Sequence, residues 1–467
     1  MSDNSFFGDL LQTIADRGRL LLNRVRGDGI EADSLPGLCE ALLSSRGEAS
    51  GVAIASEILT RWQGLEEAGR LDFLVLLAER FGPDYDRIDR AVAAYRQDKN
   101  ARAAVELHAA AEPRRQELVR RLNLAPAGVR TLVRMRAELL RHRAVHSDFD
   151  IVDADFAHLF ASWFNRGFLV LRRIDWSTPA NILEKVIEHE AVHEIGDWDD
   201  LRRRLQPGDR RCFAFFHPRL VDDPLIFVEV ALTKQMPATI GELLAEDRVP
   251  VAVEDATTAV FYSISNCEDG LRGISFGNFL IKQVVEDLWR ELPRLADFVT
   301  LSPAPGFAAW LQREQRLANS TLLAPSDRET LQLLDRDGWQ SNASATDPMR
   351  AALLAMAAHY FLKARTEDGR VIDPVARFHL GNGARLERLN FLGDRSEKAL
   401  RQAHGLMVNY RYKLDDIEKN HELFAGKGQV VASMAVRRLL PKERESQTAA
   451  MAAPSAPVAE PADRPPG

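Results

Sequence analysis

The sequence predicts a multidomain α+β protein: an all-α helical bundle over residues 1–165, a mixed α/β domain over 166–440 and a disordered tail over 441–467. Three observations predict it. The first 165 residues place apolar side chains at helical spacing and show no strand-like alternation. From Phe168 onward, short runs rich in β-branched and aromatic residues are separated by helical stretches. The last stretch is rich in Ala, Pro, Glu and Ser and has no apolar period, the composition of a chain that cannot build a core.

Composition bounds the rest. Of 467 residues, 46% are apolar and 28% charged, the balance of a soluble globular protein with material for more than one core. Lys plus Arg is 61 and Asp plus Glu is 68, so the net charge is −7. That balance carries no global signal for nucleic acid. Cys39, Cys212 and Cys267 lie far apart, which is neither a disulfide framework nor a zinc pattern and suits a reducing compartment. No run approaches the roughly 18 apolar residues of a membrane span. The N-terminal segment reads as an amphipathic helix, and its Asp3, Asp9 and Asp16 argue against a transit peptide. A cytoplasmic protein with no membrane contact is the expectation.

In the first domain, Ile54, Ile58, Leu59 and Trp62 fall on one helical face, and LDFLVLLAERFG (71–82) ends at a Gly-Pro stop. Leu118, Val119 and Leu122, then Leu132, Val133, Met135, Leu139 and Leu140, continue the pattern, and a helix over 155–166 is expected to end at Gly167. In the second domain, 168–174, 212–217, 225–232 and 259–265 read as strands. Helices are expected over 179–193, 197–205 and, strongly amphipathic, 278–292.

Four segments bear on chemistry. The first is the turn after the fourth strand, where Arg272, Gly273, Ile274, Ser275, Phe276, Gly277 and Asn278 lead into a helix. Glycines there let backbone N–H groups converge, and the helix N-terminus adds positive potential, so the turn suits a phosphate. Acetyltransferase-like folds hold the coenzyme A pyrophosphate with Arg/Gln-x-x-Gly-x-Gly/Ala; Arg272 and Gly277 fit, while Ser275 replaces the middle glycine. The second is HEAVHEIGDWD (189–199), which has the zinc-peptidase spacing, with His189 and His193 as ligands, Glu190 as base and Asp199 as third ligand. Its charged surroundings favour a solvated surface helix, and no metal is assigned. The third is LSPAPGF (301–307), where two prolines stiffen a loop around Ser302. The fourth is DPVARFHLGNG (373–383), where His379 reads as lying on a short strand beside a tight turn, either a satisfied structural histidine or an acid or base. Tyr410, Arg411 and Tyr412 come later and either line a pocket or cap a strand, the second being the default reading.

Together these segments resemble the malonyl-CoA decarboxylase family. PLIFVEVALT (224–233), FYSISNCEDGLRGISFGNFLIKQVV (261–285), LSPAPGFAAWL (301–311), DPVARFHLGNGARLERLNFLGDRSEKAL (373–400) and GLMVNYRY (405–412) carry the resemblance in order. It implies a helical oligomerisation domain, a catalytic domain of acetyltransferase-like (GNAT-type) fold, and a homotetramer. It implies a carboxy-lyase that converts malonyl-CoA to acetyl-CoA and carbon dioxide without a cofactor, coenzyme A being part of the substrate. It places the catalytic pair at Ser302 and His379, which also touch substrate, and the substrate loop at Arg272–Asn278; Tyr412 is a candidate supporting group beside them. The alternative is an acyl-CoA-dependent acyltransferase of the same fold. The HEAVH segment is not part of the family pattern.

Overall fold

The computed structural model describes residues 34–440 apart from 45–46, 221, 275–279, 318–321, 324 and 337. The expected N-terminal amphipathic helix, the tail over 441–467 and Ser275 to Asn278 of the phosphate turn therefore lie outside the described residues.

Among the described residues, eight helices come first: α1 (Leu35–Ser44), α2 (Glu48–Gly64), α3 (Glu67–Glu79), α4 (Tyr85–Gln97), α5 (Ala101–Ala111), α6 (Arg114–Leu122), α7 (Gly128–His142) and α8 (Phe149–Trp163). The apolar residues that set their periodicity are the ones that meet. Ile58, Leu59, Trp62, Leu74, Leu118, Leu122, Leu132, Leu139, Phe156 and Phe160 form one buried cluster. Each such side chain contributes roughly 1.5–3 kcal/mol by leaving water. The helix before Gly82 stops at Glu79, and Asp84 opens the next one by accepting from the Arg87 N–H. The last helix ends at Trp163, earlier than expected, and Gly167 lies in a 3₁₀ turn, Arg166–Phe168.

The second part orders as β1 (Val170–Ile174), α9 (Ala180–His189), α10 (Trp198–Leu205), β2 (Arg210–Phe216), β3 (Pro224–Thr233), α11 (Gly241–Leu244), β4 (Thr258–Asn266), α12 (Leu280–Glu291), β5 (Asp297–Thr300), β6 (Ser302–Pro303), α13 (Phe307–Arg316) and α14 (Pro325–Leu331). It continues with α15 (Ala343–Leu362), α16 (Pro374–Gly381), β7 (Arg385–Asn390), α17 (Glu397–Ala403), β8 (Met407–Tyr412), α18 (Ile417–Lys427) and α19 (Met434–Arg437). The helix expected over 179–193 ends at His189, because the chain turns there to bury Glu190.

The eight strands make one sheet. β1 to β4 are antiparallel neighbours, β4 pairs with β5 in parallel, and β8 lies between β5 with β6 on one side and β7 on the other. Every residue of β2 is buried, which is why it reads as a continuous apolar run rather than an alternation. One face carries Phe213, Phe215, Val228, Val230 and Phe261 toward the cluster shared with the bundle and α12. On the other, Cys212, Ala214, Phe216 and Phe227 meet α9 and α10, and Val260, Val299 and Met407 meet the segment around α11.

Two features of this sheet position the site. The β3–β4 register slips between Glu229 and Val230, which leaves Tyr262 as an unmatched residue on β4. The β4–β5 pairing ends at Phe261 with Thr300, closed by the Leu301 N–H on the Phe261 carbonyl at 2.9 Å. Beyond that point β4 stays with β3 while Ser302 pairs with Val408 of β8. The sheet therefore opens a wedge between β4 and β6.

Candidate active site

Ser302 and His379 meet at this wedge. The Ser302 Oγ lies 3.0 Å from His379 Nε2, and His379 Nδ1 lies 2.8 Å from the Tyr412 hydroxyl. All three side chains are buried. The two residues of the pair are 77 apart in sequence, so the contact exists only through the sheet and the helix laid on it.

Ser302 is placed by its strand. Pairing with Val408 fixes its backbone, and Pro303 and Pro305 stiffen the turn into α13. Gly306 then admits the Tyr360 ring; a Cβ there would stand 2.8 Å from its hydroxyl. The hydroxyl of Ser302 is oriented by Thr300, whose Oγ1 accepts its proton at 2.9 Å and also accepts the Tyr410 N–H at 3.1 Å.

His379 lies on a helix, not on the short strand expected from its apolar neighbours. The reason is local. Asp373 caps the helix by accepting the Ala376 N–H at 2.8 Å, Pro374 opens its first turn, and Gly381, Asn382 and Gly383 end it. Gly383 has φ +82°, and a Cβ there would approach the Ile417 carbonyl to 2.2 Å. Ala376, His379 and Leu380, spaced three and four apart, form the buried face. Asp373 is itself fully buried and accepts the Tyr360 hydroxyl at 3.3 Å; burial raises its carboxyl to about 6. The His379 ring stacks on Tyr410, centroids 4.6 Å apart.

The protons can be traced. A hydroxyl has one proton, and that of Ser302 goes to Thr300. His379 Nε2 then carries hydrogen and donates to the Ser302 Oγ, while Nδ1 accepts from the Tyr412 hydroxyl. Burial pushes the His379 imidazolium down to about 3, so the ring is neutral, and the same burial pushes Tyr412 well above its ordinary range. The result is a dry, uncharged chain of donors that runs from Tyr412 through His379 and Ser302 to Thr300, beside the wedge.

Of the expected phosphate turn, Arg272, Gly273 and Ile274 are described. Gly273 has φ +78°, which glycine adopts without strain, and Ile274 is buried. The Arg272 side chain is exposed and pairs with Asp269 at 2.7 Å. The stretch before the turn is held by the bundle. A Cβ on Gly270 would stand 1.9 Å from the Val133 carbonyl on α7. Arg136 of α7 donates from Nη1 to the carbonyls of Gly270 (2.7 Å) and Arg272 (2.9 Å), with its Nε on Asp153 at 2.8 Å.

The HEAVH segment does not form a metal site. His189 closes α9, the next residues are not helical, and Asp199 is exposed on α10. The surface-helix expectation fails too, because Glu190 is buried. Its Oε1 accepts the N–H groups of Val192 and His193, each at 2.8 Å, and its Oε2 accepts the Ser263 hydroxyl at 2.6 Å. Nearby, Glu229 is wholly buried against Arg204 at 3.4 Å, and burial raises its carboxyl to about 8. Among the described residues, the cluster close enough to hold a metal is instead Glu67, Glu138 and His142 in the bundle. The three cysteines are buried free thiols, and burial pushes Cys39 up to about 12.

Sequence reasoning missed Thr300, Asp373 and Arg136. Thr300 stands two residues before Ser302 on an extended stretch, which places both on one side and is a usable signal. Asp373-Pro374 is a helix start that could have been read as such. Arg136 has no local signal, since its partners are 134 and 136 residues away.

Known proteins resemble this chain over most of its length. The family model for the malonyl-CoA decarboxylase C-terminal domain matches residues 167–450, and that for the N-terminal domain matches 81–164. The mitochondrial malonyl-CoA decarboxylase of Anser anser anser is 33% identical over 416 residues, covering 82% of each chain. The crystal structure of malonyl-CoA decarboxylase from Rhodopseudomonas palustris is 60% identical with a TM-score of 0.84, covering 88% of this chain and all of that one. The corresponding structure from Agrobacterium vitis is 63% identical with a TM-score of 0.83, covering 87% of this chain and all of that one.

Proposed function

This chain belongs to the malonyl-CoA decarboxylase family, and from that premise we propose that it converts malonyl-CoA to acetyl-CoA and carbon dioxide at the Ser302–His379 pair. The observation that carries the proposal is the neutral, buried Ser302–His379–Tyr412 chain at the mouth of the wedge.

The reaction breaks the bond between the α-carbon and the carboxylate. Its electron pair passes into the thioester carbonyl as an enolate, and a proton on the α-carbon completes the acetyl group. A cation clamped on the substrate carboxylate would stabilise the ground state and slow the reaction. The side chains of Ser302 and His379 bond to each other and to the neutral partners Thr300 and Tyr412, which supports a pocket that holds the malonyl head by hydrogen bonds. The Nε2 proton of His379 faces the wedge through Ser302, the position from which the α-carbon is protonated, and Tyr412 keeps the other ring nitrogen occupied. The unmatched Tyr262 lies one residue past the last β4–β5 pair, which favours its backbone as a donor to the developing enolate oxygen. The thioester carbonyl supplies the electron withdrawal, so neither metal nor organic cofactor is required by the chemistry.

The turn from Arg272 to Asn278 receives the coenzyme A phosphates in this reading. Residues 1–165 form an oligomerisation domain, 166–440 the catalytic domain, and the working form is a cytoplasmic homotetramer. Helix α4 supports the oligomer, since none of its residues is buried and Tyr85 is 73% exposed. None of the described helices is long and apolar enough to cross a membrane.

The test is incubation of the purified protein with malonyl-CoA, with no acceptor and no added metal. Acetyl-CoA and carbon dioxide should appear in equal amounts. Intact malonyl-CoA that turns over only when an amine is supplied would make the chain an acyltransferase instead.

A further inference from the structure

At the outer edge of the sheet, a cavity of about 700 Å³ lies between the start of α15, the end of β7 and the residues after β3. Arg350, Arg388 and Arg395 line it, with Thr239, Gln340 and Asn390 among the neutral polar groups, and no carboxylate lines it. These three guanidinium groups differ from the acid-paired ones elsewhere in the protein. Arg136, Arg204, Arg211 and Arg248 each pair with an acid, whereas Arg350, Arg388 and Arg395 pair with none among the described residues. Arg350 lies over the Phe391 ring at 5.1 Å. Arg388 is held rigidly: its Nε donates to Asn409 Oδ1 at 3.0 Å and its Nη2 to the carbonyls of Met236 (3.1 Å) and Pro237 (2.5 Å), which leaves Nη1 for the cavity.

Three cations around one concavity repel each other, and a fixed guanidinium has already lost the freedom that binding would cost. We infer that this cavity is a binding site for a compact polyanion, a diphosphate or a polycarboxylate, separate from the turn at Arg272–Asn278. Its volume lies in the range of small-molecule sites, so a ligand with an organic body fits as well. The cavity and the turn lie at opposite sides of the sheet, with β5 and β8 between β4 and β7. The inner end of the same hydrogen-bond path is the catalytic strand, because Asn409 Nδ2 donates to the Thr300 carbonyl at 2.7 Å.

The experiment is isothermal calorimetry on the full chain, with coenzyme A saturating so that the substrate turn is filled, and with ionic strength held constant. Pyrophosphate and citrate are the two probes. Saturable binding of one anion per chain is expected, and the double variant Arg350→Ala with Arg395→Ala should weaken it at least tenfold, because two of the three charged donors are removed. Both side chains are exposed, so the variant should keep its melting temperature and basal turnover. Preference for pyrophosphate identifies a phosphate ligand and preference for citrate a carboxylate one. No saturable heat with either probe, or equal affinity in the variant, overturns the inference.

Discussion

His193 and His379 invite comparison. Both histidine side chains are buried, and burial holds both rings neutral, His193 at about 4 and His379 at about 3. Their partners differ. His193 lies 4.0 Å from Asp394 through Nδ1, and its Nε2 has no hydrogen-bond partner. His379 has a hydroxyl on each nitrogen, and one of those hydroxyls stands at an opening in the sheet. A perturbed titration alone therefore does not mark a catalytic group. The distinguishing property is a continuous set of donors that ends where a substrate can reach it.

The largest effect expected from breaking this contrast is on turnover. His379→Ala should lower kcat by roughly 10²–10⁴-fold, the usual worth of a general acid or base. Steady-state kinetics beside a thermal melt would check it; a folded variant with full turnover removes His379 from the chemistry.

Glu190→Ala tests the other region. It strips a buried acceptor from two N–H groups and a serine, so stability should fall by about 3 kcal/mol while activity per folded molecule stays. Urea unfolding reads the first and active-site titration the second. An unchanged midpoint would show that the Glu190 turn is not what ends α9.

A smaller change is expected from Tyr412→Phe, which frees Nδ1 without moving the ring. About a tenfold loss of kcat at unchanged KM fits the cost of one unsatisfied buried acceptor. A shift confined to KM would mean that the hydroxyl binds substrate rather than orienting His379.

Acid should affect the two histidines alike. Each folded pKa lies below the ordinary 6.5, so the unfolded chain binds more protons as pH falls. Their contribution to stability is complete above about pH 6.5 and is lost toward pH 4 and 3, at up to about 1.4 kcal/mol per pH unit for each. Denaturant midpoints at pH 5 and 7 for His193→Gln should show a shallower loss than the unaltered protein; an identical slope would place the proton uptake elsewhere.

The smallest effect is none. The dispersed geometry of His189, His193 and Asp199 predicts that a strong chelator leaves kcat and the melting temperature unchanged. A lost activity restored by zinc would contradict it.

Much of this was legible in the residues themselves. The bundle and the first strands follow from apolar spacing, because a buried face leaves its period in the chain. The Ser302–His379 pair came from a family pattern, since nothing local joins residues 77 apart. His379 was misplaced on a strand because its short apolar neighbourhood outweighed the Asp-Pro start of a helix. HEAVH misled in the opposite sense: its spacing suits a helix, but the energy of burying Glu190 beneath Ser263 breaks that helix. Thr300 was legible as a neighbour of Ser302 on one side of an extended stretch, whereas Arg136 depends on tertiary contacts that no window of sequence contains.

The fit of Gly270 under the Val133 carbonyl reaches beyond packing. Because α7 presses on the stretch that leads into the turn at Arg272, the second half of the chain is not a portable module. A graft or a chimera cut near residue 165 would leave the Gly270 and Arg272 carbonyls without the Arg136 guanidinium. Any exchange of halves between relatives must therefore carry α7 and this turn together, as one inherited unit that straddles the domain boundary.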